Sequence, residues 1–128
     1  MAGSLALGGI GQIALTVSKI DEAEQFYRDV LGLPHLYTFG NLAFFDCGGT
    51  RLFLTASDDG DHAGNHSVIY FQVENIDQAH KELHARGVTF IEAPQLVHTH
   101  ADGTQEWMAF FNDPSGNVLA IMAQVRTD

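Results

Sequence analysis

A single cysteine, Cys47, stands in the whole chain. That excludes an intrachain disulfide and fits a reducing compartment, so the expected location is the cytoplasm. Basic residues are scarce too, with 6 Lys and Arg against 16 Asp and Glu and a formal net charge of −10. This argues against a nucleic-acid partner, because phosphate-backbone affinity rests on Lys and Arg. The acidic balance mildly favours cationic over anionic ligands, although net charge says nothing about the lining of a pocket. No apolar run approaches the ~20 residues that a membrane span needs. The first basic residue is Lys19, which argues against a signal peptide. With 128 residues, 45% of them hydrophobic and 17% charged, the expectation is one soluble domain over residues 1–128 with a modest core.

What is present is a repeat. The first half reads QIALTV (12–17), IDEA (20–23), LGL (31–33), FF (44–45) and GGTRLFLTA (48–56). The second half reads VIYFQV (68–73), IDQA (76–79), RGV (86–88), FF (110–111) and SGNVLAIMA (115–123). Early landmarks recur 56 residues on, as Gln12 to Val68 and Ile20 to Ile76; late ones recur 67 on, as Phe53 to Ala120. The second copy therefore carries about eleven extra residues between its helix and its closing strands. Self-similarity at a fixed offset identifies the structural unit. Here it is strand, helix, then several strands, with module 1 at about 10–56 and module 2 at about 67–124.

Ile20, Ala23, Phe26, Tyr27, Val30 and Leu31 share one helical face, with acidic residues in the first turn and Gly32 as a stop. Ile76, Ala79 and Leu83 do the same for a second helix that ends at Gly87. Strands are predicted over 10–17, 35–39, 42–47, 51–56, 67–73, 89–98, 106–111 and 117–124. The acidic stretch 57–65 reads as the surface loop between the copies. Strand alternation separates two faces. One holds Ile13, Leu15, Val17, Leu52, Leu54, Ile69, Phe71, Val73, Leu119 and Ile121, all suited to cover by the helices. The other holds Gln12, Ala14, Thr16, Arg51, Phe53, Thr55, Val68, Tyr70, Gln72, Val118, Ala120 and Met122. That mixture of polar, aromatic and small residues fits a cavity or an interface, and equally a partly wet sheet surface.

The doubled unit, VSKIDEAEQFYRDVLGL after the first strand and NDPSGNVLAIM near the end resemble the vicinal oxygen chelate superfamily. That superfamily includes glyoxalase I, extradiol dioxygenases, and fosfomycin- and bleomycin-resistance proteins. The resemblance implies an α+β fold of two βαβββ modules whose mixed sheets curl around a cleft, often completed at a dimer interface. It is weak on activity, since one scaffold hosts isomerases, dioxygenases, transferases and metal-free binders. Metal-dependent relatives carry ligands at positions that fall here on Gln12, Phe53, Val68 and Ala120. Only Gln12 has a donor atom for a metal, and catalytic zinc sites usually need three protein ligands. No metal and no other cofactor is therefore expected.

Other donors are candidates for rebuilding such a site. His66 shares the parity of Val68 but lies one strand repeat away, ~6.6 Å. His98, His100 and Glu106 belong to the extra segment of module 2 and are expected at the cleft rim. His80 and His84, four apart on the second helix, read as surface residues. Cys47 has no His near it in sequence and reads as an inert thiol, and Ser115 as a turn residue in Asp113-Pro114-Ser115-Gly116. Trp107 is expected to face the cleft, where its ring offers stacking area and an N–H donor, and the parity of Tyr70 points its hydroxyl the same way.

The reading is a metal-independent binder of a small, partly aromatic molecule. Its expected contacts are Gln12, Arg51, Phe53, Val68, Tyr70, Trp107, Ala120 and Met122, with no catalytic residue assigned. Arg51, the one basic residue in that set, offers a local anion contact despite the acidic whole. A homodimer is expected because two helices cannot cover both mixed faces. The alternative is a metal-dependent lyase, isomerase or dioxygenase of the glyoxalase type, built on Gln12 with the rim histidines and Glu106.

Overall fold

The computed structural model of the protein describes residues 5–57 and 64–126. Most of the expected 57–65 loop thus lies outside the described residues. Alternation along QIALTV produces β1 (Gln12–Val17), with Leu15 and Val17 buried and Ala14 and Thr16 exposed. α1 (Ile20–Gln25), β2 (His35–Phe39), β3 (Leu42–Cys47) and β4 (Thr50–Ala56) follow. The second half repeats the order as β5 (Ile69–Gln72), α2 (Ile76–Ala85), β6 (Phe90–Thr99), β7 (Gln105–Asn112) and β8 (Val118–Val125). Each half forms a four-stranded mixed sheet, ordered β1-β4-β3-β2 and β5-β8-β7-β6. The helix in each half crosses from one edge strand to the other, β1 to β2 and β5 to β6, and the last strand returns between them to pair parallel with the first, β4 with β1 and β8 with β5. Hairpins make the remaining pairs antiparallel. The fold is α+β with two βαβββ modules, as the repeat implied.

Local chemistry sets the helix ends. The Asn75 side chain caps α2 by accepting from the Gln78 N–H at 3.0 Å, and Gly87 follows the helix at φ 94°. α1 departs from the plain helix expected through Leu31. After Gln25 the backbone widens into a π-helical turn, Phe26–Val30, in which the Leu31 N–H reaches the Phe26 carbonyl at 3.0 Å. Within this turn Tyr27 is fully buried, and Gly32 closes the segment at φ 75°.

One apolar cluster joins the modules, with Val17, Leu52 and Leu54 from the first sheet and Phe111, Leu119 and Ile121 from the second. A buried polar joint lies beside it. The Tyr27 hydroxyl donates to Asp113 Oδ2 at 2.7 Å, and Asp113 Oδ1 accepts from the backbone N–H groups of Ser115 (2.9 Å) and Asn117 (2.8 Å). Asn117 Nδ2 donates to Asp113 Oδ2 at 3.0 Å and to the Thr16 carbonyl at 2.8 Å, while Ser115 Oγ accepts from the Ser18 N–H at 2.8 Å. The β7–β8 turn of module 2 is thereby tied to β1, to Ser18 and to the π-helical turn of module 1. Every polar atom of this joint is paired, as burial requires. Burial, then the Asp113 charge and hydrogen bond, hold the Tyr27 phenol well above its ordinary pKa.

Candidate functional site

Strand register arranges the helix-free face of the first sheet in rows. Gln12, Arg51 and Asp46 stand side by side; next come Ala14, Phe53, Phe44 and Tyr37; then Thr16, Thr55, Leu42 and Phe39. The middle row is a stack of rings. Phe53 and Phe44 have centroids 5.3 Å apart and planes 23° apart, and Phe44 and Tyr37 are 4.6 Å and 24° apart. Phe39 extends the stack diagonally, 5.9 Å from Tyr37 with planes 6° apart. These spacings approximate the ~4.8 Å between neighbouring strands, so the rings stack because the register places them abreast. The Arg51 guanidinium lies 5.6 Å from the Phe44 ring centroid, and its Nε donates to Gln12 Oε1 at 2.7 Å.

On the second sheet the corresponding rows are Tyr70, Ala120, Phe110 and Glu92, then Gln72, Met122, Met108 and Gln95, then Gln124, Glu106 and His98. Tyr70 and Phe110 meet edge to face at 5.8 Å. Ala120 between them is fully buried and offers no contact surface. Val68 is half-buried and lies just before β5 rather than within it. Gln12, Arg51, Phe53, Tyr70 and Met122 occupy the helix-free faces, as expected.

Trp107 does not. Its register partners are Leu96 and Ala123, the latter fully buried on the helix-covered side, and its ring packs against the core. The indole Nε1 donates to Gln105 Oε1 at 3.1 Å. Phe110 and Met108, of opposite parity, take the open face instead.

The expected rim donors do come together. His98 and His100 meet at 4.5 Å between centroids, and His100 Nε2 is 2.8 Å from Glu106 Oε2, which also accepts from Gln124 Nε2 at 2.7 Å. The His100 hydrogen bond, followed by that of Gln124, holds the Glu106 carboxyl below its usual pKa. His80 stacks edge to face on Phe90 at 4.4 Å and belongs to the α2–β6 contact.

A metal does not fit the four positions implied by the family resemblance. Gln12 offers its carbonyl oxygen to a guanidinium, so a cation there would face a fixed positive charge. Phe53, Val68 and Ala120 contribute no donor. Among the described residues, no group of three or more His, Cys, Asp or Glu is placed to hold a metal ion.

Between the modules lies a crevice of about 950 Å³, lined by residues of α2, the edge of β5, Leu31–Pro34 and Asp46–Gly48. Tyr70 and Gln72 of the helix-free face reach its edge, while Arg86, Glu82 and Asp46 are already engaged. Arg86 Nη1 donates to the Val30 carbonyl at 2.8 Å, Arg86 Nη2 lies 3.4 Å from Glu82, and Asp46 Oδ1 accepts from the Gly49 N–H at 3.0 Å. Cys47 at its edge is half-buried, and burial, then Asp46, push its thiol pKa up. The crevice reads as a joint between modules, and the helix-free faces remain the candidate site.

The sequence pattern of the Glyoxalase/Bleomycin resistance protein/Dioxygenase superfamily matches residues 9–121. The protein YraH of Bacillus subtilis is 28% identical over 128 residues, covering 86% of this chain and 94% of that protein. Among solved structures, lactoylglutathione lyase from Agrobacterium tumefaciens superposes with a TM-score of 0.71 at 23% identity, covering 91% of this chain and 94% of its own. A virulence protein from Salmonella typhimurium superposes with a TM-score of 0.74 at 23% identity, covering 94% and 100%. At these identities the two structures establish the fold alone. The chain belongs to the Glyoxalase/Bleomycin resistance protein/Dioxygenase superfamily.

Proposed function

We propose that this protein is a metal-independent, cytoplasmic binding protein that holds a small, partly aromatic molecule on the helix-free faces of its sheets. The observation that carries this reading is Phe53. At a position where metal-dependent relatives keep a ligand, this chain has a ring that joins a row of three, and the neighbouring donor Gln12 is committed to Arg51. Such a surface stacks flat molecules and does not polarise a carbonyl or activate dioxygen. Tyr70, with an exposed ring, adds a hydroxyl on the second sheet.

A homodimer accompanies the reading. Exposed apolar side chains gather on the outer strands, Leu36, Tyr37 and Phe39 on β2 and Ile91, Leu96 and Val97 on β6. Burying the same patch on both copies satisfies a two-fold pair. Ligand-observed NMR with a panel of flat aromatics in metal-free buffer tests the binding reading. Saturation transfer to several of them is expected. Silence across the panel refutes it.

A further inference from the structure

The aromatic row stops one place short of the sheet's edge. β1 is the edge strand, and the residue abreast of Phe53 on it is Ala14, which is exposed. Where Phe44 and Tyr37 continue the stack on one side of Phe53, a methyl group stands on the other. Among the described residues, no further ring lies against the outward face of Phe53 above Ala14. A cavity of about 260 Å³ follows the edge of β1 from Ile13 to Thr16 towards Asn65, His66 and Asn117, beside this place; neither Phe53 nor Arg51 lines it.

The two rows flanking this place are chemically unequal. On one side are Gln12 and Arg51, and on the other Thr16 and Thr55, each row ~6.6 Å from Ala14. Arg51 is exposed and forms no ion pair among the described residues. Its Nε is held by Gln12, which fixes the plane of the guanidinium. Both Nη groups have no partner in the described residues, and a planar pair of N–H donors matches a carboxylate.

We infer that the place above Ala14 takes a planar aromatic carboxylate, its ring stacked on Phe53 as the next member of the row and its anionic group on the Nη groups of Arg51. This rests on the proposed binding function and gives it a ligand class and an orientation. The net charge of −10 opposes the approach of an anion at long range. Salt screens the distant charges beyond ~10 Å, and Asp46, the carboxylate abreast of Arg51, forms no ion pair with it, which leaves the Nη groups to a bound carboxylate.

Titration calorimetry with 2-naphthoate and its uncharged counterpart 2-naphthamide tests the inference, using the full chain and the variants Arg51→Gln, Ala14→Leu, Phe53→Leu and Tyr70→Ala. The natural protein should prefer the carboxylate. Arg51→Gln should weaken 2-naphthoate about tenfold or more while changing 2-naphthamide less than about twofold. Ala14→Leu fills the place and should abolish both. Phe53→Leu keeps a half-buried apolar side chain but removes the ring face, and should weaken both about threefold to tenfold. It also keeps the test decisive should Ala14→Leu fail to fold. Equal affinity for the two probes in the natural protein would overturn the anion contact. Loss of binding in Tyr70→Ala with none in the first-sheet variants would overturn the placement and leave the broader binding function standing. Absence of binding by either probe would overturn the ligand class, and the wider aromatic panel then decides separately whether the protein binds aromatics at all.

Discussion

Replacing Tyr27 by Phe removes one oxygen from the joint between the modules and nothing else. The ring keeps its edge contact with Phe26 at 5.5 Å and its place beside Phe45 at 6.1 Å, so no cavity larger than a hydroxyl opens. What is lost is a fully buried hydrogen bond of 2.7 Å to Asp113. Bonds to charged acceptors contribute about 1.5–3 kcal/mol. Asp113 retains three N–H donors, from Ser115, Asn117 and the Asn117 side chain, so the carboxylate is not orphaned. The loss should therefore sit at the lower end, about 1.5–2 kcal/mol. Urea unfolding reads it as a lower midpoint at unchanged m-value. A second signature follows from the raised phenol pKa. The folded chain keeps the Tyr27 proton above the ordinary tyrosine pKa of about 10, where the unfolded chain releases it. The stabilisation is thus fully present below pH ~10 and declines above it, by up to about 1.4 kcal/mol per pH unit. Tyr27→Phe should remove that part of the alkaline slope. A loss under about 0.5 kcal/mol, the size of an ordinary surface change, together with identical slopes in both proteins, would refute the joint.

Three further outcomes are expected. Sedimentation at micromolar concentrations should give twice the monomer mass, and a monomer throughout that range would remove the dimer. Gly32→Ala should destabilise by about 1 kcal/mol or more in thermal unfolding, because φ 75° strains any side chain there; an unchanged midpoint would contradict that backbone. In the folded protein the Glu106 carboxyl is held ionised by His100 first and Gln124 second, so its contribution is present above the usual carboxylate range and lost as pH falls. NMR titration of the carboxyl should find its pKa raised in His100→Ala, and no change would mean that the pair is not formed.

The architecture was legible because the chain states it twice, and two copies of one pattern constrain each other's reading. Strand parity also read correctly wherever one face was clearly apolar, as in β1, where Ile13, Leu15 and Val17 alternate with polar or small residues. It failed on β7. The run WMAFF is apolar at every position, so nothing local says which parity is core; the pairing of Trp107 with buried Ala123 decides it. The ring row was invisible for a related reason. Tyr37, Phe44 and Phe53 lie on three strands, and only their register, which slips at a bulge between His35 and Tyr37, brings them abreast. The Asp113 turn was recognised as a turn, but its partner Tyr27 is 86 residues away and had been counted as a core ring. The large crevice depends on how the modules meet, which no single segment encodes.

The proposed function is binding without a metal. Its most direct test is calorimetric titration of 2-naphthoate into protein purified without an affinity tag, before and after exhaustive chelation, with elemental analysis of the same samples. Zn, Ni, Mn and Fe are expected well below one ion per chain, with the same affinity in both samples. One tightly held ion per chain, with binding lost on its removal and restored on its return, would contradict the account and identify a metal-dependent protein.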